Sequence, residues 1–497
     1  MTRAPRCALS AALVAVATAS CGAPIERAAP AAPAPPPALA APSVDFRATR
    51  PPPGPAPVFV APRIDEARLA NGVRVLVAPQ HGLPVVFARV VLDGGAAQAA
   101  PGVSAFAGAM LLRGTTSRSA VAIQDEIVML GAEVESKVDY DSTQIVARCL
   151  TPRLPDVLTL VADMVRRPAF SSDEIERERS DRLAELGRQR DRAREVARTA
   201  LLAVLYPSDH PYATPHLGAS DGVRRITRSE LLAFYRSIAT PARVTLVLAG
   251  DVDLDGAVAM ATRVFGDWAA PKTSAAPVAT LARSEARADA PKIVLVDRPG
   301  ATQSHVLVGA VGVPRSAPDY DALVVMNAVL GSWDLSNRLY VNLREKHAYT
   351  YGAGSEFEFR RGAGPFDAEA ALVRDHTRDG IAEMLSEISR MRTELVPDDE
   401  LEAAKAALVR HLPASFETAE ATARTLAELA VHHLPLDEPA TRAARWARVT
   451  RDDVQRAAAL RLDPSKLHVI VVGDAKLVRP ELEALGLGEV AVRAAPR

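Results

Sequence analysis

Histidine spacing is the first test of metal chemistry in this sequence. Two histidines four residues apart share a helix face, and a glutamate beside them completes a site that binds zinc and activates water. The ten histidines are His81, His210, His216, His305, His347, His376, His411, His432, His433 and His468. No two stand four apart, and neither His-x-x-Glu-His nor its reverse occurs. His432 and His433 are neighbours and point to different helix faces. Cysteine offers no alternative. Cys7 falls in a leader-like segment, and a lipid on Cys21 would leave Cys149 alone, so no disulfide framework is expected. Cys149 reads as a small buried hydrophobe.

Another stretch has a helical frame without chemistry. "GVSAFAGAMLLRGT", Gly102 to Thr115, is a short run of small and apolar residues closed by Arg113-Gly114-Thr115. Nothing in its helical part can ligate a metal or move a proton. Further on, "ERERSDRLAELGRQR" places Glu185 on a strongly charged helix.

The elements that position these residues follow from length and pattern. At 497 residues the chain is too long for one ordinary core. Its net charge of −1 gives no electrostatic case for nucleic-acid binding. Arg3 and Arg6 precede a short apolar run that ends in Thr18-Ala19-Ser20-Cys21-Gly22. This resembles a bacterial lipobox and implies cleavage before Cys21 and lipid on its sulfur; a simple secretion signal is the alternative. We read 1–21 as the signal segment and 22–63, rich in Ala and Pro, as an extended spacer. The expected location is the cell envelope, at the outer membrane facing the periplasm.

Two segments match without a gap. "ITRSELLAFYRSIATPARVTLVLAGDV" starts at Ile226 and "VTRDDVQRAAALRLDPSKLHVIVVGDA" at Val449. In each a Thr caps a helix with an acidic residue three further on, the helix ends before Pro, and a β-branched run follows as a buried strand. "SSDEIERERSDRLAEL" and "VPDDELEAAKAALVRHL" form a second pair of helices opened by acidic residues. Repeats of this length are duplicated domains, not a solenoid. The first is expected over 64–268 and the second over 291–487, with 269–290 as linker and 488–497 as tail. Segregated strands and helices indicate α+β, each copy an antiparallel sheet packed with helices.

Together these features resemble the M16 zinc peptidases, the family of pitrilysin, insulin-degrading enzyme and mitochondrial processing peptidase. The resemblance runs from about Ile64 to Leu487 and implies two M16-type domains forming half of a clamshell. The Gly102–Thr115 stretch matches the family's catalytic helix at Gly102, Phe106, Met110, Leu111, Gly114 and Thr115. The His, Glu and His of the family motif are replaced by Ala105, Gly108 and Ala109. Glu185 lies at the place of the third ligand and reads as a remnant. The resemblance therefore implies no metal or other cofactor on this chain, and zinc on a partner subunit with an intact His-x-x-Glu-His motif.

"LGSWDLSNRLYVNLREKHAYTYGAGS", from Leu330, resembles the family's substrate-binding segment. By that resemblance Arg344 binds the substrate chain and Tyr351, seven residues later, stabilises the transition-state oxyanion. The alternative is that Arg344 pairs with a carboxylate and Tyr351 packs at a helix end. Arg338 and Tyr340 read as structural. The function implied is the non-catalytic subunit of a heterodimeric M16-type zinc metalloendopeptidase acting on unfolded peptides. A peptide-binding or scaffolding pseudoprotease of the cell envelope, held to the membrane by its N-terminal lipid, is the other reading. Neither involves nucleic acid.

Overall fold

Two continuous apolar runs, "VTLVLAG" and "HVIVVG", have the composition of strands covered on both faces, and each lies inside a six-stranded sheet. The computed structural model describes residues 59–269, 290–332 and 336–494. The signal segment with Cys21, the spacer up to residue 58 and most of the linker lie outside the described residues.

The first sheet comprises β1 (Asp65–Arg68), β2 (Arg74–Pro79), β3 (Val85–Asp93), β4 (Glu133–Val138), β5 (Ser142–Leu150) and β6 (Val244–Gly250), in the order β1-β2-β6-β3-β5-β4. The second comprises β7 (Ile293–Asp297), β8 (Gln303–Val311), β9 (Thr350–Phe357), β10 (Pro365–Val373), β11 (His468–Gly473) and β12 (Val490–Ala494), in the order β12-β7-β11-β8-β10-β9. β4 and β9 occupy equivalent edges.

The sheets are mixed, not antiparallel throughout. β6 inserts between β2 and β3, so a strand antiparallel to β3 must run parallel to β2. β11 does the same between β7 and β8. The segment read as a C-terminal tail supplies β12, which extends the second sheet by pairing parallel to β7. At the other end of the folded chain Phe59, read as spacer, packs its ring 5.7 Å from that of Phe416.

The expected helix caps form in both copies. Thr227 Oγ1 accepts from the Glu230 N–H and the Glu230 carboxylate accepts from the Thr227 N–H. Thr450 and Asp453 repeat the exchange. These caps open the helices Arg228–Ile238 and Arg451–Arg461.

The two copies are interleaved. One face of the first sheet packs on helices of its own copy, among them Val103–Met110, Leu154–Arg166 and Leu254–Phe265. Its other face is covered by the helix Ala419–Val431, whose Leu426 and Ala430 meet Leu76, Val91 and Val247. The helix Ala193–Leu205 crosses the other way and sets Leu201, Leu202 and Leu205 against Val294, Leu307 and Ile470. At Gly309 a Cβ would lie 2.9 Å from Leu201 Cδ1, so the approach depends on the missing side chain. Cys149 is buried on β5, and desolvation pushes its thiol up to about 11. Among the described residues no helix is long and apolar enough to cross a membrane.

Candidate functional site

The helix Val103–Met110 starts at Gly102, which takes a left-handed φ of +87°. That conformation suits glycine. Phe106, Ala107 and Met110 point into the core of the first half. The Phe106 ring is flanked by the guanidinium groups of Arg179 and Arg182, each 5.5 Å from its centre. Ala105 is 5% exposed and, with Ala109, lines a cavity of about 490 Å³. Gly108 lies against β4: a Cβ there would come 2.4 Å from Val138 Cγ2 and 3.1 Å from Ser136 Oγ. A branched valine at its stiff β-carbon yields little, so this position excludes any side chain without displacement of β4.

These residues do not fit a zinc ion. Ala105, Gly108 and Ala109 carry no donor atom, and a zinc site takes about three protein ligands or more. Glu185 turns instead to its own helix, Ser172–Arg190, where Arg188 Nη2 donates to it at 2.5 Å. That bond holds its carboxyl below the usual range. Among the described residues no group of three or more His, Cys, Asp and Glu is placed to hold a metal ion.

A different cation reaches the degenerate motif. Arg182 Nη2 donates to the carbonyl of Ala105 and to Glu178 Oε1, both at 2.9 Å. Arg113 Nη2 donates to the other Glu178 oxygen at 2.9 Å and to Asp181 at 2.6 Å. The sequence reading missed this network. Its one local signal was the i,i+4 spacing of Glu178 and Arg182; the contacts to Ala105 and Arg113 are tertiary.

In the second half, Asn337 caps a single turn, Arg338–Tyr340, by accepting from the Tyr340 N–H at 2.8 Å. Arg338 is buried and forks onto Glu400 through two bonds of 2.7 Å, which fits a structural role. The chain then widens into a π-helical turn, Val341–Lys346, closed by the His347 N–H donating to the Asn342 carbonyl at 3.2 Å. The wide turn and Ala348, at a left-handed φ of +56°, bring the chain back on itself. Arg344 and Tyr351 therefore meet. Arg344 Nη1 donates to the Tyr351 carbonyl at 3.0 Å, and its guanidinium lies 5.7 and 5.4 Å from the ring centres of Tyr340 and Tyr351. No carboxylate among the described residues pairs with Arg344. The Tyr351 side chain is 84% exposed and packs at no helix end.

Tyr351 stands on the edge strand β9. A cavity of about 350 Å³ lies beside that strand, lined by Gly352 to Glu356, Asp367 and Glu369 among others. Desolvation raises the Asp367 carboxyl to about 6, against the 3.6 Å approach of Arg198.

Comparison with known proteins places both halves. The insulinase (peptidase family M16) model matches residues 74–217, and the peptidase M16 inactive domain model matches residues 225–408. An uncharacterized zinc protease of Mycobacterium tuberculosis is 30% identical over 292 residues, 58% of this chain and 66% of that protein. The match thus spans just under two thirds of that relative. The mitochondrial-processing peptidase subunit beta of Bos taurus is 27% identical over 286 residues, 56% of each chain. Among solved structures, a peptidase M16 inactive domain from Pseudomonas fluorescens aligns at TM-score 0.75 and 25% identity, over 83% of this chain and 98% of its own. A protease from Helicobacter pylori aligns at TM-score 0.76 and 17% identity, over 83% of this chain and 99% of its own, a likeness of fold.

Proposed function

We propose that this chain, which belongs to the M16 peptidase family, is the non-catalytic subunit of a heterodimeric zinc metalloendopeptidase. It supplies Arg344 and Tyr351 to a site whose metal-binding residues come from a partner with an intact His-x-x-Glu-His motif. The zinc is expected on that partner, and no residue of this chain is assigned to it.

The observation that carries the reading is a contrast. Arg344 and Tyr351 are in contact with each other, Arg344 pairs with no carboxylate among the described residues, and Tyr351 projects into solvent. The two positions where the family has its metal-binding histidines are Ala105 and Ala109, which carry no donor, and Glu185 at the third is turned to Arg188. Arg344 uses one N–H to hold the Tyr351 backbone and keeps the rest of its fork for a peptide carbonyl. The Tyr351 phenol donates a hydrogen bond to the substrate carbonyl oxygen as negative charge develops there. Lipid on Cys21 would hold the chain at the outer membrane, facing the periplasm.

The test is complementation. Mixed with such a partner and zinc, the wild-type chain supports hydrolysis of unstructured peptides, and Tyr351→Phe and Arg344→Ala, with unchanged thermal unfolding, do not. Full activity from both variants would remove the assigned roles. Peptide binding without hydrolysis in every mixture would favour the scaffolding pseudoprotease. Mass spectrometry of the mature N-terminus decides the lipid: an unmodified Cys21 ends that part of the reading.

A further inference from the structure

The cavity beside the Val103–Met110 helix is lined by a buried cation, Arg89, with no carboxylate of the described residues in contact. Arg89 sits in the middle of β3, inside an apolar run, and is 4% exposed. Its Nη1 donates to Gln144 Oε1 at 3.2 Å, its Nε has no partner, and no carboxylate among the described residues pairs with it. Arg182 borders the same cavity, and its Nε is also buried and unpartnered. So is the hydroxyl of Ser136 on β4.

Glu420 and Glu135 attract Arg89 through space without an ion pair to it, and the other acids nearby are engaged elsewhere. Asp139 accepts from the backbone N–H groups of Asp141 and Ser142 and from the Ser142 hydroxyl. Glu178 is shared by Arg182 and Arg113, and Glu135 pairs with Lys137. Burial lowers the pKa of both Arg89 and Arg182 and keeps His216 toward its neutral form. A guanidinium buried with no anion in contact is strongly disfavoured. A fold that keeps one facing a cavity of about 490 Å³ has made room for an anion. The planar fork of arginine selects a carboxylate. Alanine at 105 and 109 leaves the space open, and β4 beside it is an edge strand that an extended peptide can join.

We propose that this cavity is a carboxylate subsite for bound peptide: an acidic side chain, or the C-terminal carboxylate, of a peptide lying along β4 enters it and pairs with Arg89 and Arg182. The proposal rests on the peptide-binding reading above, and goes beyond it by giving the degenerate first half a binding role and an acidic preference.

The test is fluorescence anisotropy of the full chain with three labelled unstructured peptides of one sequence. One carries an internal Glu and an amidated end. The second carries Gln and an amidated end. The third carries Gln and a free C-terminal carboxylate. The expected result is that the first or the third binds about tenfold tighter than the second, and which of them does so names the source of the carboxylate. Arg89→Gln, checked for native thermal unfolding, is expected to lose that preference while binding the neutral peptide as before. Equal affinity for all three wild-type complexes overturns the subsite and leaves peptide binding standing; this comparison needs no variant to fold. Binding of none overturns the peptide-binding reading and the subsite with it. A preference that survives in folded Arg89→Gln overturns the assignment to Arg89.

Discussion

The two halves carry corresponding sheets and treat their functional positions in opposite ways. In the first, the helix at the family's metal motif is close-packed only at Gly108, while Ala105 and Ala109 border an open cavity. Ala105 is buried, Gly108 touches β4 so closely that a Cβ does not fit, and Arg182 is bonded to the Ala105 carbonyl. In the second, the fold spends a π-helical turn and a left-handed alanine to bring Arg344 onto Tyr351, then leaves the tyrosine 84% exposed. Where the donors were lost, small residues took their place, closed against β4 at Gly108 and open to a cavity at Ala105 and Ala109. Where the side chains remain, packing stays away from them. An exposed, well-positioned polar side chain such as Tyr351 is better evidence of a use outside the fold than a buried one.

The largest effect should come from trying to make the first half like a catalytic one. Ala105→His, Gly108→Glu and Ala109→His together are expected to lower stability by at least about 3 kcal/mol, since Gly108 admits no side chain and a buried carboxylate would lack a partner. Calorimetric unfolding and zinc titration check this. A stable triple variant that binds zinc tightly would break the comparison. Next, Tyr351→Phe should cut complemented peptidase activity about a hundredfold, as loss of an oxyanion donor does, without moving the unfolding midpoint. An equal fall in both quantities would make Tyr351 a packing residue.

A third effect lies under the exposed strand. The Asp367 carboxyl titrates near 6 in the folded chain, against an ordinary 3.8. Between those values the unfolded chain has lost that proton and the folded chain has kept it, so this group's contribution to stability falls as pH rises through the window. Asp367→Asn is therefore expected to be more stable than wild type by about 3 kcal/mol above pH 6, with the gain vanishing below about pH 4. Denaturant melts across that range check it, and a gain that persists in acid would contradict it. The smallest effect sharpens the internal symmetry. Thr227→Ala and Thr450→Ala should each cost about 1 kcal/mol, since both capping boxes are formed. A loss in only one copy would show that the other helix is held by packing alone.

How much of this was readable in the sequence depended on range. The caps at Thr227 and Thr450 and the buried runs of β6 and β11 are local patterns, and they appear as read. The exchange of the helices Ala193–Leu205 and Ala419–Val431 between sheets is not local. Each has one apolar stripe, and nothing in a stripe says which sheet it will cover. The parallel register of β6 and β11 and the capture of β12 are likewise set by distant partners. At the site, absent donors were legible at Ala105, Gly108 and Ala109. That Gly108 must be glycine, and that Arg89 is buried unpaired, depended on Val138, Gln144 and the cavity, none of which a motif records.

The central claim is that this chain holds half of a peptidase site. The direct measurement is zinc-dependent hydrolysis of an unstructured peptide by the purified chain alone and by the chain mixed with a His-x-x-Glu-His partner from the same organism. The expected result is no hydrolysis from the chain alone and hydrolysis from the mixture beyond that of the partner alone. Zinc-dependent hydrolysis by the chain alone, or a partner whose activity is unchanged by its addition, would contradict it.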